Sequence, residues 1–213
     1  MANWNKKVEK KSYGSFYFIA DIRLGEEVRK SQRSDYHMIR LLAMPAQDQA
    51  GLSASGNVMF HPDWLGGDFD PADIQPDLKD LAAVRSKRKL GAELDEEEQK
   101  VLDQGSQSFV FERNVYSERG NSILQGLLGP NYGAFMSEIE DDSPESFASK
   151  LKTTFTAQDK PLFIVKAKQS KDQDDELTDR FEIDQIIRIE DDQDMERFKN
   201  YRDKNADVMF DIG

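Results

Sequence analysis

The chain has 213 residues, of which 33% are charged and 38% hydrophobic, and its net charge at pH 7 is −12. Thirteen Phe, six Tyr and two Trp are enough for one core, which excludes a chain that is disordered throughout. The lack of cysteine excludes disulfide frameworks and thiolate metal sites. With a polar start and no apolar run of roughly 20 residues, we expect a soluble, cytoplasmic protein of a bacterium or an infected cell.

Basic and acidic residues are distributed unevenly along the chain. Residues 1–40 carry nine basic and five acidic residues, whereas residues 171–213 carry seven basic and fifteen acidic ones. The negative total therefore conceals a basic front and an acidic rear. The front can form a cationic surface, and ordinary solvated surface is the alternative explanation.

Three strands are predicted in the first third of the chain. Residues Phe16–Arg23 alternate between apolar and polar faces. The apolar face of this strand carries Phe16, Phe18, Ala20 and Ile22. A charged loop, GEEVRKSQRSD, leads to a second strand at Tyr36–Met44, and a third follows at Asn57–Trp64. The short connections predict a meander.

The middle of the chain is predicted to be mainly helical. Residues 77–104 are highly charged, and Gly91 is expected to divide them into two helices. Residues Phe109–Tyr116 alternate and predict an additional strand. GNSILQGLLG predicts a short helix that ends at Gly129. An amphipathic helix follows, capped by Ser143 or Asp142, with Phe147, Leu151 and Phe155 on one stripe.

Two further strands are predicted in the rear, at Leu162–Lys168 and Phe181–Ile189. The apolar face of the last strand is predicted to hold Phe181, Ile183, Ile187 and Ile189. Three strands, a helical region and two strands form the order of an OB barrel, whose helix sits between the third and fourth strands.

We therefore predict a β-rich α+β fold, an OB-type five-stranded barrel with an enlarged helical insert between strands 3 and 4 and an acidic C-terminal tail. The expected divisions are a basic N-terminal arm at 1–12, the OB-type domain at 13–189 with its insert at about 65–158, and a mobile acidic tail at 190–213. A short helix within the tail, around Met195–Tyr201, is compatible with its pattern.

Motifs of common enzyme classes are missing from the sequence. It contains no G-x-x-x-x-G-K-[ST], G-x-G-x-x-G or G-x-S-x-G motif. Its only histidines, His37 and His61, lie in different predicted strands. Four acids, Asp63, Asp68, Asp70 and Asp73, could hold Mg²⁺ or Ca²⁺ but lack the spacing of a calcium loop. We expect a non-catalytic protein with no cofactor and no metal.

Candidate binding residues combine cationic and aromatic side chains. A single nucleic-acid strand is held by a cationic groove and by aromatic rings on which bases stack. The candidates on the predicted strands are Tyr17, Arg23, Tyr36, Arg40, Phe60, Trp64, Lys166 and Lys168, and those in the helical region are Arg85, Lys87 and Arg88. The alternatives are a core position for Phe60 and ordinary solvated faces for the lysines and the RSKRK run.

The C-terminus carries a second candidate feature. Its last residues, NADVMFDIG, form a short apolar tip between acids. The candidate partner-binding residues are Asp207, Met209, Phe210 and Asp211. Such a tail can occupy the chain's own cationic groove or dock on a partner, and a frayed end is the alternative.

These segments together resemble the single-stranded-DNA-binding proteins of bacteriophages. The resemblance rests on FYFIADIR, YHMIRLLAM, NVMFHPDW, LFIVKAK and FEIDQIIRI, on GNSILQGLLG followed by SPESFASKLKTTF, and on the ending MFDIG. It implies an OB fold, DNA replication or recombination as the setting, and an acidic tail that recruits replication proteins. The tail departs from the usual pattern because it holds four basic residues and ends in glycine.

The predicted function is sequence-tolerant binding and protection of single-stranded DNA. Three other functions remain open from the sequence. The first is a non-enzymatic viral structural or assembly protein, and the second is a small metal-dependent nuclease using Asp68, Asp70 and Asp73. The third is an acidic DNA mimic that binds a DNA-processing protein.

Overall fold

The computed structural model describes residues 14–30, 36–46, 53–61, 70–139, 143–159, 161–171 and 177–204. The strands are β1 (Ser15–Lys30), β2 (His37–Pro45), β3 (Ala54–Phe60), β4 (Phe163–Lys171) and β5 (Leu177–Arg188). The helices are α1 (Leu78–Lys89), α2 (Glu96–Phe111), α3 (Glu118–Leu128), α4 (Tyr132–Glu138), α5 (Pro144–Thr156) and α6 (Asp192–Lys204). Short 3-10 helices lie at Pro71–Ile74 and Gly129–Asn131.

The five strands close into a barrel in the order β1-β2-β3-β5-β4. The long first strand pairs with β4 through its first half and with β2 through its second. The barrel closes where β3 runs parallel to β5, with Ser55 opposite Glu182. The five-stranded barrel in a mixed, β-rich fold, as predicted from the sequence, is confirmed.

The barrel interior follows the alternation of β1. Phe16, Phe18 and Ala20 are buried, as predicted, and face Ala167, Val165 and Phe163 of β4. Residues from the helices between β3 and β4 join the same core, notably Leu124 of α3 and Phe147 and Leu151 of α5. The core is therefore one apolar cluster shared by the barrel and by the helices that pack against it.

Helix α3 lies very close to β5. A Cβ atom at Gly126 would be 2.1 Å from the Ile186 carbonyl oxygen, a distance that no side chain can adopt. At the start of α3, a Cβ atom at Gly120 would be 1.9 Å from the Asn114 oxygen. Glycine at both positions lets the helix backbone approach its neighbours, which fixes α3 against the sheet.

Helices α1 and α2 form a hairpin with a small core of its own. Leu81, Val84 and Leu102 are buried together, apart from the barrel core. Gly91 lies between the helices at φ 74, a left-handed conformation that glycine adopts without strain. The division of residues 77–104 into two helices, predicted from Gly91, is confirmed.

Two segments differ from the sequence prediction. The segment GEEVRK, predicted as a loop, continues β1, because its backbone pairs with β2 across an irregularity between Leu24 and Val28. The additional strand predicted at Phe109–Tyr116 is wrong. Helix α2 starts at a capping box formed by Asp95 and Glu98 and runs on to Phe111, and only Asn114 then bridges to Met59.

The mobile tail predicted from residue 190 is wrong for its first part. Residues Asp192–Lys204 form α6, which contacts β1 and buries Phe198. The four predicted partner-binding residues, Asp207, Met209, Phe210 and Asp211, lie outside the described residues, as do residues 1–12. Within the described ranges, no helix combines the length and apolar character required to span a membrane.

Candidate nucleic-acid interface

A β-bulge in β5 determines which of its side chains face outward. Lys166 pairs with Gln185 and Ala167 pairs with Ile183, so Asp184 is an extra residue in the ladder. The bulge shifts the alternation, and the buried residues are Ile183 and Ile186. The predicted face of Phe181, Ile183, Ile187 and Ile189 is therefore wrong beyond Ile183, because one inserted residue reverses the faces that follow.

Three basic side chains converge on the carboxylate of Asp184. The Lys166 Nζ atom lies 2.9 Å from Asp184 Oδ2, and the Lys168 Nζ atom lies 3.4 Å from Oδ1. From the start of α3, Arg119 Nη2 also lies 3.4 Å from Oδ1 and donates a hydrogen bond to the Ile183 carbonyl oxygen. Three cations around one anion leave a local excess of positive charge.

The pKa values of Asp184 and Lys166 are shifted by the contacts between these charged side chains. Burial alone would raise the pKa of Asp184, but the hydrogen bond from Lys166 and the charges of Lys166, Lys168 and Arg119 lower it below its ordinary 3.8. The hydrogen bond to Asp184 raises the pKa of Lys166, against a smaller opposing effect of burial. Both partners are therefore charged at neutral pH.

A second contact joins the end of α2 to β5. The Arg113 guanidinium lies over the Phe109 ring, with Cζ 3.6 Å from the ring centroid, and Arg113 Nη2 lies 2.9 Å from Glu182 Oε2. Burial lowers the pKa of Arg113, and the charge of Glu182 opposes the shift. The Phe109 side chain is 50% exposed although it is large and apolar. A ring held by a cation on one face and open to solvent is suited to stacking.

Tyr17 borders the same group on the outer side of the barrel. It is the direct partner of Lys166 in the β1–β4 ladder, and Ser15 is the partner of Lys168. The sequence prediction that Lys166 and Lys168 share one face, with Tyr17 on the outer side of β1, agrees with this register. The residues that form this continuous group, here called the Asp184 surface, are Tyr17, Phe109, Arg113, Arg119, Lys166, Lys168, Glu182 and Asp184.

An outer row of paired positions leads from this surface across the sheet. Glu182 pairs with Ser55, Ser55 with Leu42, and Leu42 with Arg23. Three strand spacings of about 4.8 Å place Arg23 about 14 Å from Glu182 in the sheet. The exposed Arg40 lies on β2 in the neighbouring row, opposite Asn57 and beside Gly25. Both arginines therefore extend the cationic character over β1 and β2.

Two aromatic residues that the sequence analysis named as candidate binding residues are buried, so the prediction that they bind nucleic acid is wrong for both. Tyr36 is 3% exposed, its ring makes an edge contact with His61 at 4.8 Å, and burial raises its pKa. Phe60 is 1% exposed and stacks on Phe147 with centroids 4.9 Å apart. Neither ring can receive a base in this conformation, because protein already covers its faces. The alternative core position for Phe60 is the correct one.

The basic residues predicted on the helical region lie away from the Asp184 surface. Arg85, Lys87 and Arg88 belong to α1, whose main packing partner is α2. Lys87 Nζ lies 2.5 Å from Glu98 Oε2 of α2, so this cation already has a partner. Trp64 lies outside the described residues.

Sequence reasoning missed Phe109, Arg113, Arg119 and Asp184. The segment FVFER alternates like a strand. In an extended strand, Phe109 and Arg113 would lie too far apart along the chain for their side chains to touch. The spacing of four residues on a helix would have brought these two side chains together. The available signal was the capping box at Asp95 and Glu98, which starts the long helix α2.

The acidic residues considered as metal ligands do not form a cluster where they are described. Asp70 accepts a hydrogen bond from the Ala72 amide as the cap of a 3-10 helix, and Asp73 lies in that helix. Asp63 and Asp68 fall outside the described residues. Across the described ranges, no group of three His, Cys, Asp or Glu residues is placed to hold a metal ion.

The chain matches no protein-family model, no curated protein and no solved structure. Its function therefore has to be derived from the residues and contacts of its own surface.

Proposed function

We propose that the chain is an OB-type protein of the bacteriophage kind that binds and protects single-stranded DNA in replication or recombination. The observation that carries the proposal is the half-exposed Phe109 ring, held by Arg113 and continuous with Lys166, Lys168 and Arg119. Exposed aromatic rings interleaved with cations are the two components that single-strand binding requires.

The strand order supports the OB assignment. In an OB fold, oligonucleotides lie on the face of strands 2 and 3, between the loops that connect strands 1–2 and 4–5. The outer row Arg23, Leu42, Ser55 and Glu182 crosses the corresponding strands of this barrel. It ends at the Asp184 surface, where Arg113 and Phe109 adjoin Glu182.

The phosphates of a bound strand are expected to contact Lys166, Lys168 and Arg119. Lys168 is the most exposed of the three, with 39% of its side chain accessible. A phosphate can share these cations with Asp184, since one carboxylate does not neutralise three positive charges. Arg23 and Arg40 supply further phosphate contacts along the outer face.

Bases are expected to stack on Phe109 and Tyr17 at the two ends of the surface. Stacking and phosphate contacts accept any sequence, because every base has a planar face and every nucleotide a phosphate. The overall charge of −12 does not oppose this function, since exposed charges further away than about 8 Å are largely screened at physiological salt.

The test is titration of a labelled oligo-dT by fluorescence anisotropy at low and high salt, with duplex DNA of equal length as competitor. We expect tight, salt-sensitive binding that duplex does not displace, and a loss of affinity in the Phe109→Ala and the combined Lys166→Gln, Lys168→Gln variants. A truncation after Lys204 controls for blocking of the surface by the last residues. No binding at low salt by either form contradicts the proposal and leaves a structural or assembly protein as the better account.

A further inference from the structure

The α1–α2 hairpin presents two outward faces of opposite charge. The sequence of α1, LKDLAAVRSKRK, carries five basic residues and one acidic residue, whereas α2 carries four acidic residues and one basic residue. The buried residues Leu81 and Val84 of α1 face α2, which leaves Lys79, Ala82 and Ser86 on the opposite side. Lys87 pairs with Glu98 of α2, so the cations that border the outward side of α1 include Lys79 and Arg85, whereas the outward side of α2 carries Glu96 and Asp103.

A groove runs along the outward face of α2. It has a volume of about 690 Å³ and is bordered by Asp73 of the preceding 3-10 helix and by Glu96, Lys100 and Asp103 of α2. Gln99 and Gln107 also line it. The charged residues that line the groove are mainly acidic, so a basic helix with small residues at its centre matches its charge.

Such a helix is present on the same chain. On α1, Ala82 and Ser86 are small and exposed, and Lys79 and Arg85 flank them on the surface. Among the described elements, α1 packs mainly on α2, and the side chains on its outward face are exposed. Its position within the hairpin prevents it from reaching the groove of its own chain, because α2 separates the two faces.

We infer that the hairpin mediates head-to-tail self-association, in which the outward face of α1 docks in the α2 groove of a second copy. The two contacting surfaces are different, so the interface is heterologous and leaves one free α1 face and one free groove on each dimer. Association can therefore continue into a row of copies or close into a ring. The row does not depend on nucleic acid, and the Asp184 surface is not part of it.

Leu78 and Leu90 support an interface at this hairpin. They are 80% and 86% exposed and lie at the two ends of α1. A 12-residue helix is about 18 Å long, so the two leucines bracket the whole basic face. Burying them against a second copy would remove apolar surface from water in addition to pairing the charges.

The experiment is sedimentation velocity on the full chain without nucleic acid, over a range of protein concentrations at low and high salt. We expect the sedimentation coefficient to rise with concentration at low salt and the rise to disappear at high salt. Arg85→Glu alone and Asp103→Lys alone should each abolish the rise, because each places like charges across the interface. Circular dichroism should show all variants folded, since both positions are exposed.

The double variant Arg85→Glu, Asp103→Lys makes the test specific. The charges at these two positions are then exchanged, so the attraction between position 85 of one copy and position 103 of the next should return. Lys150→Glu on α5 lowers the net charge by the same amount as Arg85→Glu, away from the hairpin, and should leave association unchanged. A monomer at every concentration, or a double variant that fails to recover, overturns the inference. An Arg85→Glu variant that still associates but binds oligo-dT more weakly also overturns it and assigns α1 to phosphate contact.

Discussion

Lys166 Nζ lies 2.9 Å from Asp184 Oδ2, and this contact exists because a β-bulge inserts Asp184 into the ladder opposite the lysine strand. Lys168 and Arg119 approach the other carboxylate oxygen at 3.4 Å. The carboxylate holds three cations in position, and it also competes with any phosphate that binds them. Its removal therefore has opposite consequences for binding and for stability.

Asp184→Asn is expected to strengthen oligo-dT binding, by several-fold at low salt, because the cations lose a competing anion. The same anisotropy titration measures the change. Glu190→Gln, an exposed acid beyond β5, is the matched control and should have little effect. Weaker binding by Asp184→Asn would mean that the carboxylate is needed to position the lysines, and would contradict competition.

Acid should weaken the fold through Asp184. Its pKa is lowered in the folded protein, so its contribution is present above the unfolded value of about 3.9 and is lost as the pH falls through the lower folded value. The contribution is expected to be about 1 kcal/mol or less, because the pair is partly exposed. Urea unfolding at pH 3 and pH 7 should show a larger decrease for the natural chain than for Asp184→Asn.

Phe109→Ala is expected to weaken single-strand binding by about 1–3 kcal/mol, the range for loss of one stacked base. The free energy of unfolding should change little, because half of the ring is already exposed. Leu90→Ala removes an exposed apolar side chain from the opposite end of the hairpin, where Lys87 pairs with Glu98, and serves as the control. Equal effects of the two substitutions on binding would argue against a stacking role.

Phe60→Ala is expected to lower the stability of the fold and to leave single-strand binding unchanged. Truncation of this buried ring, stacked on Phe147, should lower the free energy of unfolding by about 3–5 kcal/mol. Oligo-dT affinity of the fraction that remains folded should be unchanged. Thermal melting followed by titration well below the melting temperature separates the two effects. A specific loss of affinity in a stable Phe60→Ala protein would restore the interpretation as a stacking residue.

Truncation should separate α6 from the residues after it. Removal from Asp192 onward should lower the melting temperature further than removal of residues 205–213 alone. The reason is that α6 contacts β1 and buries Phe198. Ile164 of β4 is fully buried and pairs with Ile19 of β1, the strand that α6 contacts. A Phe198→Ala variant should reproduce most of the decrease in melting temperature caused by removal from Asp192 onward, without changing chain length.

The barrel could be predicted because its strands alternate strictly at the start. Phe16, Phe18 and Ala20 repeat every second residue, and this period alone assigns the inner face. The last strand could not be assigned in the same way. The segment FEIDQIIRI contains apolar residues in both phases, and only pairing with β4 shows that Ile186 faces inward.

The binding residues were harder to predict than the fold. Tyr17 and Tyr36 are similar in sequence context, but Tyr17 is at the barrel's outer side and Tyr36 is buried against His61. The side chains of Phe109 and Arg119 come from helices that are distant in sequence from β4 and β5. Their approach to Lys166 and Asp184 depends on the packing of α3 on the sheet, which local patterns do not encode.

The pairing of β1 with β4 has a consequence for how the chain folds during synthesis. Phe16 pairs with Ala167, so about 150 residues must be made before the first strand finds one of its two neighbours. At ~5–20 residues per second, this delay is roughly 8–30 s. The small core of the α1–α2 hairpin is formed by residues close in sequence, so the hairpin can form within that interval. We expect the first strands to be exposed to aggregation or to chaperones until β4 and β5 emerge and the barrel closes.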